Sequence, residues 1–512
     1  MKNRRYLRIF LFSISFLMLC FTFCAFLKEE SKKCLGVEIV ESQKLRENKY
    51  QYHDFRDEIF YYDEKAAIDF ETSTIYVPQK IKEGTNKQEL EGLIKISNSN
   101  YRLFFEEDPY FNNLYQAVKE NHTFKLFVLG QNREYMQYKV VFTTLPVMRI
   151  DGSYSHEDIE NRPIMAGEMC LWPSNFKTQN HQILETSNLE WRIRGATSAC
   201  QYKKPWKLNL KKDNGDNRNI DLLGLGNDDD WILNPMNMDD LKIREKLFIT
   251  LWNQMQNETK YNYPMSDGEY VELVLNGRYH GLFLLQRRID EKYLNLKEDD
   301  ILFKGKQPWT TNEDSLIVKD VYDIVYSSLE EENSYELIKG LFELTDLSNL
   351  NLENSIDVYL FLQYASALDN VEYKNMFYIF NKTNDGDYQI KLDPWDTDMS
   401  FGLIFDDGFK YNPDISLKSD ITRKEMDCML KNSPDIYEKI CDRWLELKSE
   451  ILNEDHVLSI LNKLKCEVSD SGALRRDNNN WHFFYKGKDT YENMAKFIHE
   501  RTKMLDELYA TK

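Results

Sequence analysis

Three short stretches carry the residues that could do chemistry. In KLDPWDTDMSFG, residues 391–402, Asp393, Asp396 and Asp398 lie close together beside Trp395, Phe401 and Gly402, directly after a β-rich run (YQIKL). Hard oxygen ligands at a strand-to-loop junction suit a magnesium ion bound to nucleotide phosphates. Carboxylates that close repel one another unless a cation neutralises them, and the flanking Trp, Met and Phe imply partial burial, where unmatched charge is costly. A solvated acidic turn is the plainer alternative. In ALDNVEYKNMFYIF, residues 367–380, Asp369 and Asn375 bracket a short loop before a strand-like run. The carboxylate can orient a hydroxyl and take its proton, and the amide oxygen can hold a divalent ion. A helix C-cap with its turn explains the same pair without chemistry. In LEWRIRGATSACQYKKPWKLNL, residues 189–210, a strand ends in Arg194-Gly195, small residues follow, and Lys203, Lys204 and Lys207 come next. A tight turn of small residues lets backbone N–H groups approach a phosphate, and a lysine on the adjacent strand can pair with its charge. An ordinary hairpin with solvated lysines is the alternative there.

Other chemistries fit less well. None of the eight histidines forms HExxH, and there is no GxSxG elbow. The glycines of LLGLGNDDDW lack the third member of a dinucleotide fingerprint, and the Gly–Lys segment is not a Walker loop. A carboxylate hydrolase could use the Asp cluster, but it leaves the Gly–Lys segment and the Asp…Asn pair unexplained. The net charge of −19 argues against nucleic acid as a partner, since that needs a dense positive face.

The elements that must position these residues fall into two halves. With 512 residues, 42% of them apolar and 13% aromatic, the chain can bury a large core and hold two or three domain-sized units. Runs such as EIFYY, STIYV, YRLFF, TFKLFVL and YKVVFTT, with turn-like separators, predict a small antiparallel β-domain of sandwich type over residues 55–144. A second unit, residues 145–512, starts at TTLPVMRIDG with further strands (LEWRIRG, PWKLNLK, DWILN) and a helix over Leu241–Gln256. Gly268–Gln286 reads as a hairpin, with β-rich runs flanking Asn276-Gly277. Residues 320–372 turn helical, and Ile436, Ile440, Trp444, Leu447 and Ile451 keep a helical period into a helical C-terminus. A β-rich half followed by a helical half is an α+β arrangement with two lobes.

Residues Ile9–Leu27 are uncharged and apolar, and Lys2, Arg4, Arg5 and Arg8 precede them. That pattern predicts a signal-anchor over residues 1–27, with a short tail in the cytoplasm and the rest outside it. A cleaved signal peptide is the alternative. Residues 28–54 are polar and of mixed charge, and are expected to be a tether. Six cysteines follow the anchor, Cys34, Cys170, Cys200, Cys428, Cys441 and Cys466, with no zinc spacing. Buried thiols and one or two bridges are both compatible with them.

In order along the chain, TTLPVMRID, WRIRGATSACQYKKPWKLNL, LLGLGNDDDWILN, DDLKIREKL, YVELVLNGRYHGLFLL, ALDNVEYKNMFYIF, LDPWDTDMSFG and GALRRDNNNW resemble the CotH-type (spore coat protein H) kinase family. The resemblance spans residues 144–509. It implies a divergent two-lobed protein-kinase-like fold that moves the γ-phosphate of ATP, with Mg²⁺ or Mn²⁺, to Ser/Thr hydroxyls of proteins on the cell or spore surface. Carried over residue by residue, Lys204 matches the lysine on the nucleotide phosphates, with Arg194 and Gly195 shaping the turn before it. Asp369 matches the catalytic-loop aspartate, and Asn375 the metal-binding asparagine. Asp396 matches the metal-binding aspartate of WDxD, with Asp398 as second ligand or support, and Arg244 is a candidate phosphate or structural contact. Two positions depart from the family pattern: Arg287 stands where a Glu is usual, and Glu245 replaces the Asn of an RNKL-like helix. A catalytically impaired relative that assembles a coat or cell surface is therefore the second reading.

Overall fold

The computed structural model describes residues 32–510 apart from 42–50, 53, 131–133, 154–160, 175–183, 196, 258–264, 307–317, 344, 346, 371–373, 405–409, 412–427, 429–434 and 483–488. The apolar run Ile9–Leu27 lies outside the described residues. Among the described residues, no helix is long and apolar enough to cross a membrane.

The first region is built on an eight-stranded sheet in the order Lys33–Cys34, Val37–Val40, Tyr101–Glu106, Phe124–Gly130, Glu134–Thr143, Thr74–Pro78, Ile68–Asp69, with Gln51–Tyr52 also paired to Glu134–Thr143. A three-stranded sheet of Glu64–Lys65, Ile59–Tyr61 and Ile94–Ile96 accompanies it. Two expectations are corrected here. The large sheet is mixed, because Val37–Val40 runs parallel to Tyr101–Glu106 and Thr74–Pro78 runs parallel to Glu134–Thr143. Residues 33–40 are also strands of that sheet, not a tether. Cys34, Leu35 and Val37 are buried in its core, and segments of two to four residues are too short to show a strand period in sequence.

Seven further strands close into a barrel: Val147–Gly152, Met165–Trp172, Glu185–Ile193, Trp206–Lys211, Asp230–Asn234, Arg278–Arg287 and Gly268–Leu275. Closure comes from parallel pairing of the first with the last, Val147 opposite Glu272 through Ile150 opposite Leu275. Alternation sorts the side chains. Along Trp206–Lys211, Trp206, Leu208 and Leu210 are fully buried with Trp191, Trp231 and Phe283, while Lys207, Asn209 and Lys211 are half-buried. The expected hairpin is present, with Leu275 opposite Arg278. Asn276 and Gly277 both have positive φ (48° and 69°), as a two-residue type I′ turn requires. A Cβ at Gly277 would come within 2.0 Å of the Phe70 ring, so the turn is also a close approach between the barrel and the first region. Tyr76 stacks on Tyr279 at 4.4 Å nearby, and the core of the first region continues into Val147, Trp172 and Val274 of the barrel.

The C-terminal half is helical as expected, with Leu352–Ala365, Asp435–Ser449, Glu454–Asp470, Ala473–Asn480 and Tyr491–Tyr509. The helix foreseen over Leu241–Gln256 runs Arg244–Asn257. These helices enclose a four-stranded antiparallel sheet of Tyr322–Tyr326, Ile301–Gly305, Met376–Lys382 and Tyr388–Pro394. One large apolar core joins the sheet to the helices through Trp252, Phe303, Phe361, Tyr378 and Trp444.

Helix Ala473–Asn480 fastens this half to the barrel with buried charge. Arg476 makes two bonds to Glu272 (2.6 and 2.8 Å) and one to Asn121 (2.7 Å). Asp477 accepts from the Leu282 N–H (2.9 Å) and from Lys203 Nζ (2.7 Å), which also donates to Pro235 O at 3.1 Å. Lys203, which the sequence groups with the phosphate-facing lysines, is therefore a strut between barrel and helix.

Candidate active site

The site gathers at the open end of the hairpin Met376–Lys382/Tyr388–Pro394. Met376 faces Pro394 in register, so the residues just outside, Asn375 and Trp395, are opposite each other. The Trp395 N–H donates to Asn375 O at 2.9 Å. Asn370 completes the junction: its amide nitrogen donates to Asn375 O (2.9 Å) and to Trp395 O (2.7 Å). One buried side chain thus ties the loop after helix Leu352–Ala365 to the loop after the last strand of the sheet. Asn375 and Asp396 both adopt the left-handed backbone region, at φ 54° and 57°. Asn and Asp enter this region more readily than other non-glycine residues.

These junctions bring Asp369, Asn375, Asp396 and Asp398 together. Asn375 Nδ2 donates to Asp369 Oδ2 at 2.9 Å, which leaves the amide oxygen as its acceptor. Lys374 Nζ is 2.5 Å from Asp369 Oδ1. Burial raises the Asp369 carboxyl above the ordinary carboxylate range, against Lys374, and the charge of Asp396 adds to the rise. Burial, then Asp396 and Glu245, push Asp398 well above that range. Glu245, on helix Arg244–Asn257, completes the acidic group. Its carboxylate accepts from the Thr397 N–H (2.9 Å) and hydroxyl (3.2 Å), and burial followed by Asp396 lifts it to about 7. Asp393 belongs elsewhere: it is buried in the core and accepts from Trp252 Nε1 at 3.0 Å.

Beside Trp395 lies a cavity of about 120 Å³. Four cations, Arg194, Lys207, Arg288 and Lys304, share its wall with apolar groups that include Ile232, Phe377 and Trp395. Lys207 and Arg288 both pair with Asp230, at 3.0 and 3.3 Å. Arg194 sits over the Trp395 ring at 5.4 Å, and Lys304 Nζ over the same ring at 5.2 Å. Burial pulls Arg194 down against the attraction of Asp396 and Glu245. Burial and then the charge of Arg194 bring Lys304 down to about 8, again against Asp396. Gly195, at φ 86°, turns the chain after Arg194; a Cβ there would meet Ser198 Oγ at 2.2 Å.

Two of the residues singled out in the sequence are engaged with other partners. Lys204 Nζ donates to Ala199 O at 2.8 Å, inside its own loop. Among the described residues, the ionisable group acting on it is Cys200, and burial pulls its ammonium down. Arg244 is wholly buried between Asp239 (2.5 Å) and Asp489 (2.6 Å) and donates to Ser400 O at 3.0 Å. Burial would lower that guanidinium, yet the two carboxylates hold it above its ordinary value. It is a structural contact that braces the loop after Asp398. Arg287 neither meets Lys204 nor points into the cavity wall; it pairs with Asp228 at 2.9 Å and covers the Tyr293 ring.

A model of the CotH kinase protein family matches residues 191–505. The chain belongs to the CotH kinase family. No curated protein matches it. Within this family member, sequence reasoning missed Lys304, Asn370 and Lys374. Asn370 and Lys374 lie between Asp369 and Asn375 and could have been weighed with them. Lys304 sits in ILFKG with no local signal, and pairing of Ile301–Gly305 with Met376–Lys382 is what brings it in.

Proposed function

We propose that this CotH-family chain is an atypical protein kinase that transfers the γ-phosphoryl group of ATP to Ser/Thr hydroxyls of surface or coat proteins, from an extracytoplasmic domain held by its N-terminal segment. The reading rests on one observation: Asp369, Asn375, Asp396 and Asp398 converge at the end of a single hairpin, joined by Asn370. The barrel and the helical half would serve as the two lobes around that point.

In the proposed reaction, the acceptor hydroxyl oxygen forms a bond to the γ-phosphorus, the bond from that phosphorus to the bridging oxygen breaks, and ADP leaves. Asp369 orients the hydroxyl and takes its proton. A carboxylate lifted by burial is a better acceptor for that proton than a solvated one. Asn375 fixes the Asp369 carboxylate through its amide nitrogen.

The donor set suits magnesium. Asp396, Asp398 and the Asn375 amide oxygen would hold it, with phosphate oxygens and water filling the remaining positions, as is usual for this ion. When bound it would supply positive charge against the phosphate oxygens. Among the described residues, no three His, Cys, Asp or Glu groups form a ready-made metal cage. Two carboxylates and an amide therefore depend on the nucleotide to complete the shell. The raised Glu245 and Asp398 carboxyls fit the same need, because crowded acids are relieved by a cation.

The test is incubation of the full-length protein with γ-labelled ATP and Mg²⁺ or Mn²⁺, comparing wild type with Asp369→Ala and Asp396→Ala. Label transfer to the protein itself or a generic acceptor, abolished by both substitutions, is expected. Absence of transfer by wild type would favour the second reading, a surface-assembly protein of the same family. The observation on that side is Lys374, whose ammonium already occupies one Asp369 oxygen.

A further inference from the structure

The first region lies wholly ahead of the family match and has no part in the proposed chemistry, yet it touches both the barrel and the helical half. Toward the barrel, the Phe70 N–H donates to Gly277 O at 2.7 Å, and Trp172 Nε1 donates to Tyr61 O at 3.3 Å. Toward the helices, Tyr115 and Lys119, on the short helix Leu114–Lys119, both reach Asp470 at 3.2 Å. Arg475 donates to Glu120 O at 3.1 Å. A Cβ at Gly472 would meet Val118 O at 2.8 Å, so the two backbones approach closely there.

These contacts converge on Arg476. One buried guanidinium serves three parts of the molecule. Its Nε and Nη2 donate to Glu272 of the barrel, Nη1 donates to Asn121 Oδ1 of the first region at 2.7 Å, and Nη2 also donates to Ser471 O at 3.0 Å, just before its own helix. The contacts close into a ring, because the Tyr279 hydroxyl donates to the same Glu272 at 2.5 Å while its own ring stacks on Tyr76 of the first region. A guanidinium presents its donors in a fixed fork. Losing one acceptor leaves a buried charged N–H unmatched, which costs more than a surface ion pair. The next residue, Asp477, accepts from Lys203 Nζ at 2.7 Å. Adjacent residues of one helix therefore hold the ring and the loop that carries Arg194 and Lys203.

We infer that the first region works as a brace: through Asn121 and Tyr76 it fixes the barrel against the helical half at Arg476 and, by way of Asp477 and Lys203, holds the loop between Ile193 and Trp206 in place. Asn121 and Tyr76 are positioning residues. Asn121 suits the task because it adopts φ 57°, a region asparagine enters readily. It turns the chain after helix Leu114–Lys119 and presents its carbonyl to the guanidinium. The inference is independent of the kinase reading, since it concerns how the halves are held and not what they bind.

The experiment is hydrogen exchange read by mass spectrometry on the full-length protein, with thermal denaturation to show that each variant folds. Asn121→Gly keeps the turn and removes the acceptor. Exchange in helix Ala473–Asn480, and at the loop amides of Arg194 and Gln201, which are bonded to Pro205 O and Ser198 O, is expected to rise about 10- to 100-fold, the scale of a hydrogen bond to a buried charge. Asn121→Asp, which keeps an acceptor, should stay close to wild type. Tyr76→Leu, which removes the ring stacked on Tyr279, should speed the same segments by a smaller factor. A rise confined to the turn at residue 121, no rise at all, or equal rises in Asn121→Gly and Asn121→Asp would overturn the brace. A rise in the helix without one in the loop overturns the hold on the loop. Label transfer is measured in parallel: a wild type that transfers none while exchange responds as expected sinks the kinase reading and leaves the brace standing.

Discussion

Two regions of this molecule concentrate charge, and they do so in opposite ways. At the seam between helix Ala473–Asn480 and the barrel, the charges are matched. Arg476 meets Glu272 twice, and Lys203 meets Asp477 and a backbone carbonyl. At the hairpin end the charges are segregated. Buried Glu245, half-buried Asp398 and exposed Asp396 crowd together, and half-buried Arg194 and Lys304 share the Trp395 ring. Matched burial fixes a geometry. Segregated charge leaves a field that a ligand of mixed sign, such as a cation with a polyphosphate, would complete.

The comparison can be broken at either end, and the seam should give the largest effect. Arg476→Met leaves the buried Glu272 without its cation, with the Tyr279 hydroxyl as a remaining donor, and urea unfolding should show a loss of about 3–5 kcal/mol. A loss below about 1 kcal/mol would mean that the seam charges are not what holds the halves together. Gly281→Ala tests the same seam sterically. Its φ is 92° and a Cβ would meet Asp477 Oδ1 at 2.1 Å, so a cost of about 1–3 kcal/mol is expected in the same assay.

At the hairpin end, Asn370→Ala frees two loops and leaves two buried carbonyls with fewer donors. A stability loss of about 1–2 kcal/mol is expected, with label transfer falling by a larger factor than stability accounts for. Equal changes in the two would reduce Asn370 to a packing residue. The last test concerns pH. Glu245 titrates at about 7 in the folded chain against 4.5 for the ordinary group, so the folded state keeps its proton longer. The stability it lends is present below pH 4.5 and is lost as pH rises through 7. Without divalent ions, the melting temperature should fall between pH 5 and 8. Glu245→Gln should flatten that slope; an unchanged slope would place the pH response in another group.

What the sequence disclosed depended on distance along the chain. Asp369 and Asn375 lie in one loop, and Asp396 and Asp398 in another, and each pair was legible because its spacing is local. The Asn276-Gly277 turn was legible for the same reason, since both residues must adopt positive φ. Closure of the barrel was not, because it depends on Val147–Gly152 lying parallel to a strand more than a hundred residues later. The lysine over Trp395 was hidden likewise. A cluster of three lysines within five residues, Lys203, Lys204 and Lys207, drew attention to the Gly–Lys loop, yet strand alternation and a buried carbonyl divert each of the three. Lys203 goes to Asp477, Lys204 to Ala199 and Lys207 to Asp230.

Barrel closure also bears on how the protein can be dissected. The family match opens at Trp191, inside Glu185–Ile193. A fragment cut there would discard Val147–Gly152 and Met165–Trp172 and leave Gly268–Leu275 and Trp206–Lys211 with raw edges, open to pairing with other chains. The family match marks the sequence this chain shares with its relatives, whereas a piece that keeps the barrel closed must start before Val147, and the Tyr76–Tyr279 stack pushes that start further upstream still.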